Sequence, residues 1–331
     1  MQRNFPWCSP GAIGLLVLLF CLLRLDVGVS WAEQAVAYRL KWLINMSTVG
    51  DVYAKEKGLF AARGLAVDLR AGGPERDAIR ELELGHAHFG VASADQVIHA
   101  LAKGSPVVVL AQLFQANPLQ WIYFKDRVRI DALADLKGKT IGVTFGKNDE
   151  IIMRTLLARA DIGDRDVRLY SVRLDYTPFF SGRADLWPVY INSQGVEIGQ
   201  RLTAAGESIG FFEPEAHGVR FVANSVVTSE RLLAEQPELV ERFMSALLAG
   251  WRGALDPANA AEAVALVRRY DQDTASEVLQ AQLTATRPLV QPMDGPPVGH
   301  IDIEAWQQTE AMMRRYGQID RPVNVAERLR R

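Results

Sequence analysis

From Tyr38 onward the chain alternates short runs rich in β-branched and aromatic residues with stretches whose apolar positions recur at helical spacing. Arg39–Ile44, Leu65–Leu69, Ala87–Ala92 and Val107–Leu113 read as strands, and Val49–Phe60, Arg76–Leu84 and Asp95–Ala102 as the helices between them. Gly58, Gly64, Gly72-Gly73 and Lys103-Gly104 punctuate the changes of period. A helix between successive strands forces βαβ crossovers, and with them a mostly parallel sheet covered by helices. The pattern then restarts. Trp121–Phe124, Thr140–Thr144, Val167–Val172 and Ala184–Ile191 read as strands, with helices over Lys147–Ala160 and Tyr176–Gly182. A strand-like stretch, Val219–Val227, leads into helices over Glu238–Ala254, Pro257–Tyr270, Thr274–Ala285 and Ile303–Tyr316. Asp256-Pro257 is a capped helix start, because proline tolerates losing its N–H at the first helical position. At 331 residues the chain exceeds what one core comfortably holds, so two lobes are expected. The expected division is 36–123 for lobe 1, 124–221 for lobe 2, and 222–331 for a return strand and helices that pack back on lobe 1.

The first residues read as an export leader. Arg3 supplies a positive start, Ala12–Leu23 is an unbroken apolar run, and Ser30-Trp31-Ala32 offers small residues at a cleavage site. Twelve apolar residues fall short of the roughly 20 that span a bilayer, so 1–32 is expected to be a signal peptide and the protein to be exported. Both cysteines, Cys8 and Cys21, lie in that leader. The remainder therefore offers no disulfide, no thiolate metal ligand and no cysteine nucleophile. Thirty-seven Lys+Arg against 39 Asp+Glu leave a formal charge of −2, which removes the basic footprint of a nucleic-acid binder.

No G-x-G-x-x-G, Walker loop, G-x-S-x-G or H-E-x-x-H is present. His86 and His88 share a face of an extended segment but have no third ligand nearby in sequence, so neither a metal nor a cofactor is expected. A different constellation is more coherent, because ligands in open α/β sheets bind beyond the carboxyl ends of strands. Those ends supply Asn45, Ser47, Thr48 and Asp51, then Gly73, Ser93 and Gln115. In the second half they supply Thr144, Asn148, Trp187, Tyr190 and Asn192. Neutral hydrogen-bonding groups, a few acids and aromatic rings suit a small polar or aromatic molecule, whereas a phosphate would call for an arginine fork. Taken singly, Ser93 also fits a helix cap, Gly73 a turn and Trp187 a core position. Their shared location sets them apart.

Several segments together resemble a known family. Val52–Phe60 with Gly64–Asp68, Gly85–Phe89 with Ser93, Lys103–Val108, Asp135–Val143, and Gly182–Trp187 with Tyr190 are similar in kind and spacing to periplasmic solute-binding proteins. The similarity is to those that resemble the thiamine-pyrimidine synthase and to the sulfonate, taurine and nitrate binders. It implies a type II periplasmic-binding fold: two α/β lobes joined by crossover segments, here near Tyr123–Lys125 and Phe221–Asn224, with a hinge and a cleft between them. It also implies a binding component that delivers its solute to an inner-membrane ABC permease; the absence of cysteine beyond the leader argues against synthase activity, so no enzyme is expected, and a monomer is. Pyrimidine-precursor binders commonly carry an Asn-Glu pair where this chain has Ser193-Gln194, which removes a charged acceptor.

The reading that follows is capture of a small nitrogen-containing aromatic or polar solute by hinge closure. Trp187 and Tyr190 are the expected stacking walls, and Asp51 the expected partner of a ligand amine. The alternatives are a hydroxymethylpyrimidine-biosynthesis enzyme on the same fold and a sulfonate- or nitrate-type binder.

Overall fold

The computed structural model describes residues 1–2, 33–73 and 75–330, so the expected leader lies almost wholly outside the described residues. Residues 33–331 form one compact unit. Among the described residues no helix is long and apolar enough to cross a membrane.

Two sheets organise the unit. The first is five-stranded, in the order β2 (Leu65–Arg70), β1 (Gln34–Arg39), β3 (Phe89–Ala92), β10 (Ser225–Ser229), β4 (Val107–Gln112). Strand β1 runs parallel to β2 and β3, whereas β10 is antiparallel to both its neighbours. In the second region β5 (Leu119–Phe124) lies between β8 (Trp187–Tyr190) and β9 (Ile209–Phe212), antiparallel to each. Strands β6 (Thr140–Val143) and β7 (Arg168–Ser171) pair in parallel, and β6 reaches the β8 side through a parallel bridge, Ile141 to Leu186. The order β7-β6-β8-β5-β9 therefore repeats β2-β1-β3-β10-β4, with β5 in the antiparallel place of β10.

This pairing corrects the expected first crossover. Strand β5 belongs to the second sheet, so the chain leaves the first sheet over residues 113–118, about ten residues before Tyr123–Lys125. An apolar run such as Leu119–Phe124 has the same period whichever sheet it joins. The return crossing spans 213–224. Strand β1 also begins earlier than the sequence pattern suggests, at Gln34, so residues 41–45 form bends beyond its carboxyl end.

Helices after β10 cover the first sheet. Phe243, on the helix Pro237–Leu255, stacks on Phe89 of β3 with ring centroids 3.7 Å apart and meets the edge of Tyr38 of β1. That helix lies against Val49–Glu56 at close range, and two glycines make the approach feasible. A Cβ on Gly50 would fall 2.1 Å from the Trp251 ring, and one on Gly250 would fall 2.4 Å from Ala54. The helix Ile303–Arg315 packs against Ala94–Ala102. The helix Ser276–Val290 packs on Ala260–Arg268 and on the 3-10 turn Met46–Thr48, and it also touches Gln194–Ala204 of the second lobe.

Candidate functional site

Loops at the carboxyl ends of strands from both sheets enclose one cavity. On the first-lobe side the chain leaves β1 through Lys41 and Trp42 and turns into the 3-10 helix Met46–Thr48. Asn45 caps that turn, its Oδ1 accepting from the Ser47 N–H at 2.8 Å, while the Thr48 hydroxyl donates to the Asn45 carbonyl at 2.8 Å. Asn45, Ser47 and Thr48 line the cavity, and so does Asp51 in the first turn of the next helix.

Asp51 is 1% exposed, and its Oδ1 accepts from the Tyr38 hydroxyl at 2.6 Å. Burial raises its pKa to about 7, against the lowering effect of the Tyr38 hydrogen bond. Burial, followed by the neighbouring Asp51 charge, holds the Tyr38 phenol well above its ordinary value.

On the second-lobe side Thr144 and Asn148 line the cavity, one just past the end of β6 and the other at the start of the helix Asn148–Arg159. The Thr144 N–H donates to Asp149 Oδ2 at 2.7 Å. Burial raises Asp149 to about 6, with that hydrogen bond pulling the other way. Trp187 and Tyr190 of β8 complete the wall together with Tyr176, whose phenol is also pushed up by burial. Lys41 Nζ donates to the Tyr190 hydroxyl at 2.8 Å and sits 5.5 Å from the ring centroid. Tyr190 in turn donates to Asn224 Oδ1 at 3.3 Å. One chain of hydrogen bonds thus joins a first-lobe loop, the second sheet and the return crossing.

Eight of the sequence-derived candidates meet at this cavity: Asn45, Ser47, Thr48, Asp51, Thr144, Asn148, Trp187 and Tyr190. Gly73, Ser93, Gln115 and Asn192 do not line it, and each is occupied in another way. Gly73 makes an antiparallel bridge with Arg76 at a φ of +148°, a turn that excludes side chains. Ser93 starts the helix Ala94–Ala102, its N–H and hydroxyl both facing Gln96 Oε1 at 3.2 and 3.1 Å. The Gln115 amide donates to the carbonyls of Gln112 and His300, both at 3.1 Å. Asn192 is fully buried behind Ser47, with Nδ2 donating to Ser47 Oγ at 3.1 Å and to Thr286 Oγ1 at 2.9 Å. Ser93→Ala is therefore expected to lower stability by about 1 kcal/mol through the lost Ser93–Gln96 side-chain hydrogen bond and to leave solute affinity unchanged. Thermal unfolding and a binding titration on the same sample check both halves.

Sequence reasoning missed Lys41, Trp42, Arg173, Tyr176 and Asn224 as lining residues. The first two were hidden by the misplaced start of β1. By local pattern Tyr176 reads as a helix start and Asn224 as part of a crossover. His88, one of the paired histidines, uses Nδ1 to accept from the Ala37 N–H at 2.9 Å, which is a structural role.

The structural relatives share this architecture. The alkanesulfonate-binding protein SsuA from Xanthomonas axonopodis pv. citri, bound to MOPS, superposes with a TM-score of 0.68 at 19% identity, covering 90% of this chain and 98% of that one. In sequence, a riboflavin-binding protein, RibY, of Chloroflexus aurantiacus is 28% identical over 89% of this chain and 84% of its own. A formylaminopyrimidine-binding protein of Halalkalibacterium halodurans is 26% identical over 95% of this chain and 96% of its own. The NMT1/THI5-like family model matches residues 45–260. With the two-lobed fold and more than half its length matched, the chain belongs to the NMT1/THI5-like family, on a periplasmic-binding-protein fold.

Proposed function

We propose that the chain is the periplasmic, solute-capturing component of an ABC importer, and that it closes as a monomer over a flat, uncharged nitrogen heterocycle. Residues 1–32 would direct export, 113–118 and 213–224 would serve as the crossings at the hinge, and an inner-membrane permease would receive the cargo. Capture works by differential affinity: a solute touching both lobes stabilises only the closed form and shifts the population toward it.

The observation that carries the choice of solute is the state of the charged groups at the cavity. Lys41 is held by Tyr190, and Lys147 by the Arg76 carbonyl at 2.9 Å with Asp77 at 3.7 Å. Arg173 lies 3.8 Å from Glu75, Asp51 is bonded to Tyr38, and Asp149 to the Thr144 N–H. Arg173, the one guanidinium among the described lining residues, is largely exposed and faces Glu75, so the cavity offers no arginine fork to a sulfonate or phosphate, and Lys41, bonded to the neutral Tyr190 hydroxyl, is the cation that an anionic solute would have to use. Trp42, Tyr176 and Tyr190 supply aromatic surface for a ring, and Asn45, Ser47, Thr48, Thr144 and Asn148 supply edge contacts. The relatives named for riboflavin and formylaminopyrimidine support the same class of solute.

A thermal-shift panel with riboflavin, formylaminopyrimidine, an alkanesulfonate and nitrate tests the reading. A heterocycle present at 100 times its dissociation constant should stabilise the protein by about 2.7 kcal/mol. Stabilisation by the sulfonate alone, or turnover of the heterocycle by the purified protein, would overturn it.

A further inference from the structure

Ser47 lines the cavity from the first lobe, yet its hydroxyl is bonded by a residue of the second. Asn192 follows β8 by two residues and is fully buried. Its Nδ2 divides between Ser47 Oγ at 3.1 Å and Thr286 Oγ1 at 2.9 Å. Thr286 belongs to the helix Ser276–Val290, where its own hydroxyl proton goes to the Gln282 carbonyl at 2.8 Å, leaving the oxygen as an acceptor for Asn192. One turn earlier, Gln282 Nε2 reaches back to the Ser193 carbonyl at 3.1 Å. Two adjacent residues of the second lobe are therefore tied to a helix that packs on the first lobe, through groups that are all buried. Asn192 Oδ1 and Gln282 Oε1 have no hydrogen-bond partner in this cluster, so the two amides already carry a desolvation cost.

A buried polar contact retained at such cost, and bridging the two lobes, has a positional role to play. We infer that Asn192 is a positioning residue for solute capture: it holds Ser47 in place and fastens the closed clamp to the helix Ser276–Val290 without itself touching the solute. The inference rests on the hinge-closure reading above, but the contacts involve protein groups alone. The clamp should therefore visit its closed form even when empty, with Asn192 adding to the contacts that Lys147, Arg173 and Tyr190 make across the lobes.

Distances between spin labels measure this directly in the ligand-free protein. Residues 33–331 contain no native cysteine, so labels at Glu83→Cys and Arg183→Cys, both exposed positions, report the lobe separation in the full chain carrying Cys8→Ser and Cys21→Ser. A short-distance population is expected without solute, and Asn192→Ala should reduce the ratio of closed to open molecules about tenfold. Thr286→Val, which keeps the shape and removes the acceptor, should do the same, and Thr286→Ser should restore it. This rescue separates a hydrogen-bonding role from loss of packing, and the Thr286 pair decides the question if Asn192→Ala does not fold. An empty wild-type protein with no short-distance population, or distributions that Asn192→Ala and Thr286→Val leave unchanged, would overturn the inference. Failure of every solute in the thermal-shift panel would instead overturn the proposed function, and the label distances would still report on Asn192.

Discussion

Asp51→Asn should change how stability depends on pH more than it changes stability at any one pH. The wild-type carboxyl titrates at about 7 in the folded chain against 3.8 for the free side chain, because burial disfavours its charged form. Below pH 4 it is protonated in both states and adds no dependence. Between about pH 4 and 7 the unfolded chain ionises while the folded chain keeps its proton, so stability falls as pH rises and levels off above 7. At 1.36 kcal/mol for each unit of separation, the full span is on the order of 4 kcal/mol. Asp95 and Asp149, each raised by burial to about 6, push in the same direction over a narrower window and remain in the variant. Denaturant unfolding of both proteins at pH 5 and pH 8 should show the stability gap moving by roughly 2–3 kcal/mol in favour of Asp51→Asn at the higher pH. A gap that stays constant would remove Asp51 as the source.

Trp187→Ala should lower stability by about 3–5 kcal/mol, the cost of emptying a large buried aromatic site. Trp187 is 1% exposed and sits among Tyr170, Tyr176 and Phe179, with ring centroids 6.1 to 6.5 Å away, so it is a core residue that backs the cavity wall. Tyr190 differs. It is half-buried, and its hydroxyl is spent on Lys41 and Asn224 while its ring remains on the cavity wall. Tyr190→Ala should therefore act mainly on capture, weakening solute affinity about 10–100-fold with a smaller loss of stability. Paired unfolding and titration measurements check the contrast. Equal stability losses for the two variants would show that Tyr190 is also a core residue.

The fold was legible wherever local period and turn chemistry agreed. The βα alternation and the glycine stops mark the elements around the first sheet, and β2, β3 and β4 fall close to their expected places. Where the signals conflict, elements are lost. The helix Gln194–Ala204 buries Gly195, Ile198, Gly199 and Leu202 at helical spacing, but two of the four are glycines, so the apolar stripe carries only two large side chains and is faint in the sequence. Strand β9, Ile209–Phe212, carries a glycine at its second position and two adjacent phenylalanines at its end, so its sequence shows no alternation. At the site, the rule that ligands bind beyond strand ends brought Asn45, Ser47, Thr48 and Asp51 together with Thr144 and Tyr190 across the gap between sheets. The same rule selected Ser93, Gln115 and Asn192, because a strand end also supplies caps, turn residues and buried braces. Only long-range contacts such as Asn192 with Thr286 distinguish those uses.

The exchanged strands β5 and β10 have a consequence for how this chain can be divided. The middle of the first sheet is filled by Ser225–Ser229, made only after the whole second lobe has been synthesised, and the second lobe opens with a strand that must slot between two made later, β8 and β9. A ribosome that has released residues 1–200 has delivered neither finished half. Cutting the gene at either crossing would leave β1–β4 without Ser225–Ser229 and open a seam between β3 and β4, whereas β5–β9 would stay together on one fragment.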